Sequence, residues 1–246
     1  MSSRGMGGRK IWIGYPDGLD HELWRYMDFL KFVDLLQRRS LWFTRLDQLR
    51  DPYEGALTKP TAEFFAEVQS RTGFRGGIHH EKFRKVRCVN CWHMSGYESA
   101  AMWELYSREA GVAICSRITR IERCFPPVVT GGSWGIRGDA VRYVDYERDR
   151  LAGLSEDGSV IMTADFMCKR KSFEHEHEYR LATSLEEDER DLRGRLIPVI
   201  LDQLIEKVVV SPTAPNWVVE VIRHEAGTYK LDVEVAQSAL YSPKLQ

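Results

Sequence analysis

The chain has almost no net charge. Its 246 residues hold 35 Lys plus Arg against 36 Asp plus Glu, a balance of −1. That excludes a global field drawing the protein to nucleic acid or to a membrane surface. Long apolar runs are also missing: none approaches the roughly 18 residues that a membrane-spanning helix needs. The first residues, MSSRGMGGRK, hold no apolar export core, so the expected location is cytoplasmic, with no membrane partner. Cysteine is sparse: five residues, an odd number without a repeating framework, fit a reducing compartment rather than a disulfide scaffold. A glycine cradle for phosphate is absent too. The stretch TGGSWGIRG at 130–138 matches neither a P-loop nor a dinucleotide fingerprint and reads as a loop.

What is there is an ordinary globular composition, 43% hydrophobic and 29% charged, with enough length to bury a core without staples. The expected organisation is a flexible N-terminus at 1–9 followed by a single α+β domain over 10–246. Residues 22–27 predict a strand with Trp24 and Tyr26 on one face. Asp28 is a candidate N-cap for a helix burying Phe29, Phe32, Val33 and Leu36. Strands are expected at 41–44, 86–94, 112–116, 141–146, 196–201, 206–211 and 231–236. Helices are expected at 61–70, after Ser95, and after Pro215. Ser95 and Glu98 have capping-box spacing, and Thr163 is a candidate cap for a helix reaching Lys171. Strands and helices mix without a βαβ rhythm. This favours an α+β fold of mixed, mainly antiparallel strands with short packed helices.

The most informative segment is Glu174-His175-Glu176-His177-Glu178-Tyr179-Arg180. Its strict alternation predicts one strand over 173–183, with Glu174, Glu176, Glu178 and Arg180 on a single face. Three carboxylates side by side require water or cations. They fit either a cleft acid or a solvated edge strand with Arg180 as an internal partner. Cys88-x-x-Cys91 with His93 has one cysteine pair where a structural zinc site has four ligands. Strand alternation puts Cys91 and His93 on one face and Cys88 on the other, which favours buried cysteines and no metal. Trp103 and Tyr106 lie one turn apart, as core aromatics or as a platform for a planar base. The basic stretch 71–87 and Lys169-Arg170-Lys171 read as solvated surface or as phosphate contacts.

Taken together, Trp24-Arg25-Tyr26-Met27, Leu41-Trp42-Phe43, Asp51-Pro52-Tyr53-Glu54-Gly55, Asn90-Cys91-Trp92-His93, the run from Glu98 to Tyr106, Lys169-Arg170-Lys171-Ser172-Phe173, Glu176-x-Glu178-x-Arg180 and the run from Val210 to Pro215 resemble a bacterial family known as domain of unknown function 2971. The family name implies no activity. The order of these elements is more distantly similar to the ADP-ribosyltransferase superfamily. That resemblance implies an ADP-ribosyltransferase-like fold and NAD as substrate. Arg25 or Tyr26 would orient NAD, and Trp103 or Tyr106, on the helix begun at Ser99, would stack on nicotinamide. Glu178, preceded by Glu176, would be the ribose-holding carboxylate. The reaction implied is ADP-ribose transfer to an unspecified macromolecular acceptor, or NAD hydrolysis, as in a toxin or phage-defence effector. Two other readings stand beside it. One is a nucleic-acid-binding or nucleolytic protein using the basic stretch 71–87 and Lys169-Arg170-Lys171 against phosphates, with Asp51, Glu54, Glu176 or Glu178 holding a divalent metal. The other is a non-catalytic interaction or sensor module.

Overall fold

A computed structural model describes residues 11–73, 80–107, 110–126, 135–155, 160–162, 165–189 and 191–242. The segment 1–9, expected to be flexible, lies outside the described residues. A short strand, β1 (Ile11–Ile13), leads to the central β2 (Glu22–Asp28). Asp28 caps α1 (Phe29–Arg38) as its spacing predicts, its carboxylate accepting from the Lys31 amide at 2.9 Å. The buried stripe of α1 is Phe32, Leu35 and Leu36, with Val33 at its half-buried margin. Arg39, in the left-handed region at φ 47, turns the chain into β3 (Ser40–Arg45). Then come α2 (Lys59–Thr72), α3 (His80–Arg84) and β4 (Arg87–Met94). They are followed by α4 (Ala100–Tyr106), β5 (Gly111–Arg117), α5 (Ile118–Arg123), β6 (Ile136–Ala140) and β7 (Arg142–Val144). The hairpin strands β8 (Ala152–Leu154) and β9 (Val160–Met162) and the short β10 (Cys168–Arg170) precede β11 (Glu178–Ser184). The chain closes with β12 (Gly194–Pro198), α6 (Leu201–Leu204), β13 (Lys207–Val210), α7 (Asn216–Thr228) and β14 (Glu234–Gln237).

These elements make an α+β fold around one ten-stranded, mostly antiparallel sheet, in the order β1-β6-β11-β4-β2-β5-β13-β14. The sheet forks at β4. The C-terminal end of β4 pairs with β2, Trp24 opposite His93. Its N-terminal end pairs with β3, Thr44 opposite Val89, and β3 carries β12. Between these two contacts β2 and β3 part, and the β4 backbone at 90–92 faces a gap. One sheet face, with Leu23, Trp92, Tyr179 and Leu181, packs on α1, α5 and α7 to form the main core. The opposite face carries Trp24 and Tyr26 against α4, and Val89 and Ala182 beneath Phe166.

Several expectations are corrected. Residues 173–183 are not one strand. A 3₁₀ turn occupies Lys171–Glu176, and His177 sits in the left-handed region (φ 39, ψ 54), so β11 starts only at Glu178. Alternating charge imitated a strand period across a chain reversal. The expected helix from Thr163 to Lys171 is replaced by two 3₁₀ turns flanking β10, and Thr163 itself lies outside the described residues. Ser95 does not cap α4. Ser99 does, accepting from the Met102 amide, and Glu98 instead accepts from the Trp103 indole at 3.1 Å. The end of the supposed 130–138 loop belongs to β6.

The β3–β12 pairing depends on a residue without a side chain. A Cβ at Gly194 would stand 2.3 Å from the Phe43 carbonyl oxygen and 2.6 Å from the Trp42 ring. Gly194→Ala is expected to cost about 1–3 kcal/mol in urea denaturation, as overpacking does. Gly153→Ala, whose Cβ meets nothing within 4 Å, should stay within about 0.5 kcal/mol of the parent.

Candidate functional site: a buried charge cluster beside the sheet fork

Strand alternation on β11 puts Glu178 and Arg180 on the same face. Arg180 is completely buried, and all five of its donor hydrogens are used. Nε meets Glu178 Oε1 at 2.5 Å, and Nη2 reaches Glu178 Oε2 at 3.1 Å and Glu54 Oε1 at 3.2 Å. Nη1 donates to Glu54 Oε2 at 2.9 Å and to the Phe166 carbonyl at 2.8 Å. Lys169, from β10, adds a second cation. Its Nζ lies 2.5 Å from Glu176, 3.0 Å from Glu178 and 3.3 Å from Glu54. The left-handed turn at His177 folds Glu176 and Glu178 back onto this one ammonium. Three carboxylates thus share two cations, leaving one negative charge in excess. A separate pair, Asp51 with Arg170 at 2.8 Å, sits alongside.

The electrostatics follow from the packing. Burial opposes ionisation of Glu178, but Arg180 and Lys169 outweigh it and hold the carboxyl well below its usual range. Burial likewise works against the Lys169 charge, and Glu178, Glu54 and Glu176 more than reverse it. Glu178, Lys169 and Arg180 are therefore charged at neutral pH. Lys169 is no exposed phosphate contact, and Lys169, Arg180 and Arg170 stand against the acids that a divalent metal was expected to use.

Glu176 leads from this cluster toward the surface. Its Oε1 accepts from the Tyr106 hydroxyl at 2.8 Å, and Tyr106 is 44% exposed. Burial and Glu176 push the Tyr106 phenol up. Trp103 is buried, its ring edge-on to Tyr26 at 4.9 Å, and the Tyr26 hydroxyl accepts from the Ser99 amide. Of the two expected stacking residues, Trp103 is core and Tyr106 is available. Arg25 and Tyr26 point opposite ways, as strand alternation requires. Arg25 reaches into the sheet fork, where Nη1 donates to the Cys91 carbonyl at 2.6 Å. It is half-buried, and among the described residues it forms no carboxylate salt bridge. Burial pulls its pKa below the ordinary arginine value, with Cys91 and Glu178 opposing. The guanidinium stays cationic.

Sequence reasoning thus anticipated Arg25, Tyr106, Glu176, Glu178, Glu54, Lys169 and Arg180 as separate candidates; the fold brings the last six together, while Arg25 leaves β2 on the other face and reaches the sheet fork. Two neighbours went unassigned. Tyr143 accepts from the Glu178 amide at 2.8 Å. His93 contacts the Glu176 carbonyl at 2.7 Å, and its face-sharing with Cys91 was the available signal. An open groove lies elsewhere. It encloses about 820 Å³ between β1, β6 and the end of β11, lined by Trp12, Arg87, Arg137 and Ala182. It does not border Glu176 or Tyr106. Its arginines are partly engaged, Arg87 with the Ser184 hydroxyl and Arg137 near Asp139 at 3.9 Å, so its chemistry is the less specific. Among the described residues no group of metal-ligating side chains is found, and no helix is long and apolar enough to cross a membrane.

Arg180→Met leaves Glu54 and Glu178 buried beside Lys169 alone and is expected to cost about 3–5 kcal/mol in urea denaturation. Adding Glu178→Gln to that variant should recover part of the loss. Stability should also fall in acid. A carboxylate whose folded pKa is depressed stabilises above its unfolded value, 4.5 for Glu178, and loses that contribution as pH drops through the folded pKa. Lys169, raised by its partners, stabilises at every lower pH and is lost only in strong alkali. Unfolding free energies should therefore be level from pH 7 to pH 8, to within about 0.5 kcal/mol, begin to fall as pH drops through 6.5 because the buried His93 resists protonation, and decline further below about pH 4.5.

Comparison with protein-family models, with curated proteins and with solved structures finds no match for this chain.

Proposed function

We propose that the chain binds NAD beside the sheet fork and acts on its nicotinamide–ribose bond, as an ADP-ribosyltransferase-like protein. Glu176, rather than Glu178, is the carboxylate that meets the ligand. The supporting observation is the contact of the exposed Tyr106 with Glu176, one of three carboxylates that share two cations, while Arg25, from the other face of β2, reaches the Cys91 carbonyl in the sheet fork and has no carboxylate partner among the described residues. Arg25 suits the pyrophosphate, because a guanidinium is a planar donor for phosphate oxygens. Tyr106 suits the nicotinamide ring.

The chemistry uses the excess charge. When the bond between ribose C1′ and the nicotinamide nitrogen breaks, its electron pair leaves with nicotinamide and positive charge develops on the ribose. A fixed negative charge in a poorly hydrated site stabilises that charge without reorganising. Water or an acceptor nucleophile then bonds to C1′ and gives up its proton. Glu178 has both oxygens bound to Arg180 and Lys169, and its role is to hold Lys169 and the strand in register.

A second reading has its own support. Every oxygen of Glu54, Glu176 and Glu178 has a hydrogen-bonding or ionic partner, an arrangement that also suits a purely structural lock in a non-catalytic module. Nicotinamide release from NAD separates the two. The expected result is turnover by the parent and a loss of about a hundredfold in a folded Glu176→Gln variant, the size of a lost transition-state contact. Equal release by both proteins, or none by the parent, favours the structural lock.

A further inference from the structure

The imidazole of His93 sits at the end of β4, 4% exposed, between the Tyr26 ring and the exposed His177. Its Nδ1 is 2.7 Å from the backbone carbonyl of Glu176. A carbonyl oxygen has no proton to give, so Nδ1 must carry the hydrogen and donate it. In the neutral ring this leaves Nε2 unprotonated, with a lone pair. The ring is neutral at physiological pH: burial pushes its pKa below 6.5, and His177 and His175 add to this while the Glu176 carbonyl and carboxylate oppose it.

Nε2 has no hydrogen-bond partner among the described residues. Among those residues, Arg84 Nε is the one fully enclosed side-chain nitrogen or oxygen that lacks a partner. The His93 Nε2 is therefore not fully enclosed, although the residue as a whole is only 4% exposed. A buried ring locked in one tautomer, with its acceptor nitrogen at an opening, is the arrangement of a group that reads a donor on a ligand. The opening also adjoins the proposed site: His93 is tied to the backbone of Glu176, whose side chain meets Tyr106.

We propose that His93 Nε2 is a ligand-reading acceptor, taking a hydrogen bond from an O–H or N–H of the nucleotide and fixing it relative to Glu176. This rests on the NAD reading above. Three parts of NAD present such a donor: the ribose hydroxyls and the adenine amino group, both carried by ADP-ribose, and the carboxamide, carried by free nicotinamide. Protonation of His93 turns Nε2 into a donor, so affinity should fall as pH drops through the His93 pKa. Among the described residues, Glu176, His175, His177 and Tyr26 are the charged or titratable groups that face the ring, so the pH profile needs a His177→Ala control.

Two measurements test the proposal. The first is histidine NMR on the ligand-free wild-type protein, assigned by difference with His93→Asn. The Nδ1–H tautomer is expected at pH 7.5, and the Nε2–H tautomer overturns the proposal whatever the ligand is. The second is calorimetric titration with NAD, ADP-ribose and nicotinamide. His93→Asn keeps a donor for the Glu176 carbonyl but removes Nε2. Its NAD affinity should fall about tenfold or more, one lost hydrogen bond's worth. The same fall should appear with whichever fragment carries the donor that His93 reads. Wild-type binding of NAD that His93→Asn leaves unchanged, while Tyr106→Ala abolishes it, overturns the His93 role alone. No binding of NAD by the wild type overturns the functional reading and this inference with it.

Discussion

The arrangement of Arg180 between Glu54 and Glu178 is the constraint on which the candidate site depends. Removing a guanidinium from water costs several kcal/mol, and burial is tolerable only when every donor finds an acceptor. Here all five do. The consequence is geometric. Glu54 follows β3 and its short turn, Phe166 and Lys169 come from the segment leading to β10, and Arg180 stands on the sheet. One side chain therefore ties the segments around β10 to the central strands, and Lys169 repeats the link from the other direction.

The fork in the sheet and this charge cluster belong to the same design. Between its two partners β4 leaves a stretch of backbone without a neighbouring strand, and Arg25 from β2 occupies the gap through the Cys91 carbonyl. On the other side of β4, Cys91 is paired in register with Arg180, and His93 with Glu178. Arg180, Glu178 and the imidazole are thus held at fixed spacings by one hydrogen-bonded ladder. Rigid placement of this kind is what a site needs if its charges are to act without reorganising.

The sequence made local features readable and long-range ones not. Asp28 as a cap, the α1 stripe and the shared face of Glu178 and Arg180 follow from periods of 3.6 and 2, which neighbouring residues alone determine. Lys169 looked like solvated surface because its neighbours Arg170 and Lys171 are basic. Nothing local signals that Glu54, 126 positions before Arg180, comes back to meet both cations. The left-handed His177 was equally hidden. His, unlike Gly, gives no warning of positive φ, and the charge alternation around it imitated a longer strand. His93 drew attention as a metal ligand, and its carbonyl contact gives it a different chemistry.

The most direct test of the account is a crystal structure of the protein with ADP-ribose and nicotinamide. The account predicts phosphate oxygens at Arg25, and the nicotinamide ring over Tyr106 with the ribose between it and Glu176. Ligand bound instead in the groove of Trp12 and Arg137, with the Tyr106 surface bare, would contradict it and leave the buried charges as a lock for the fold alone.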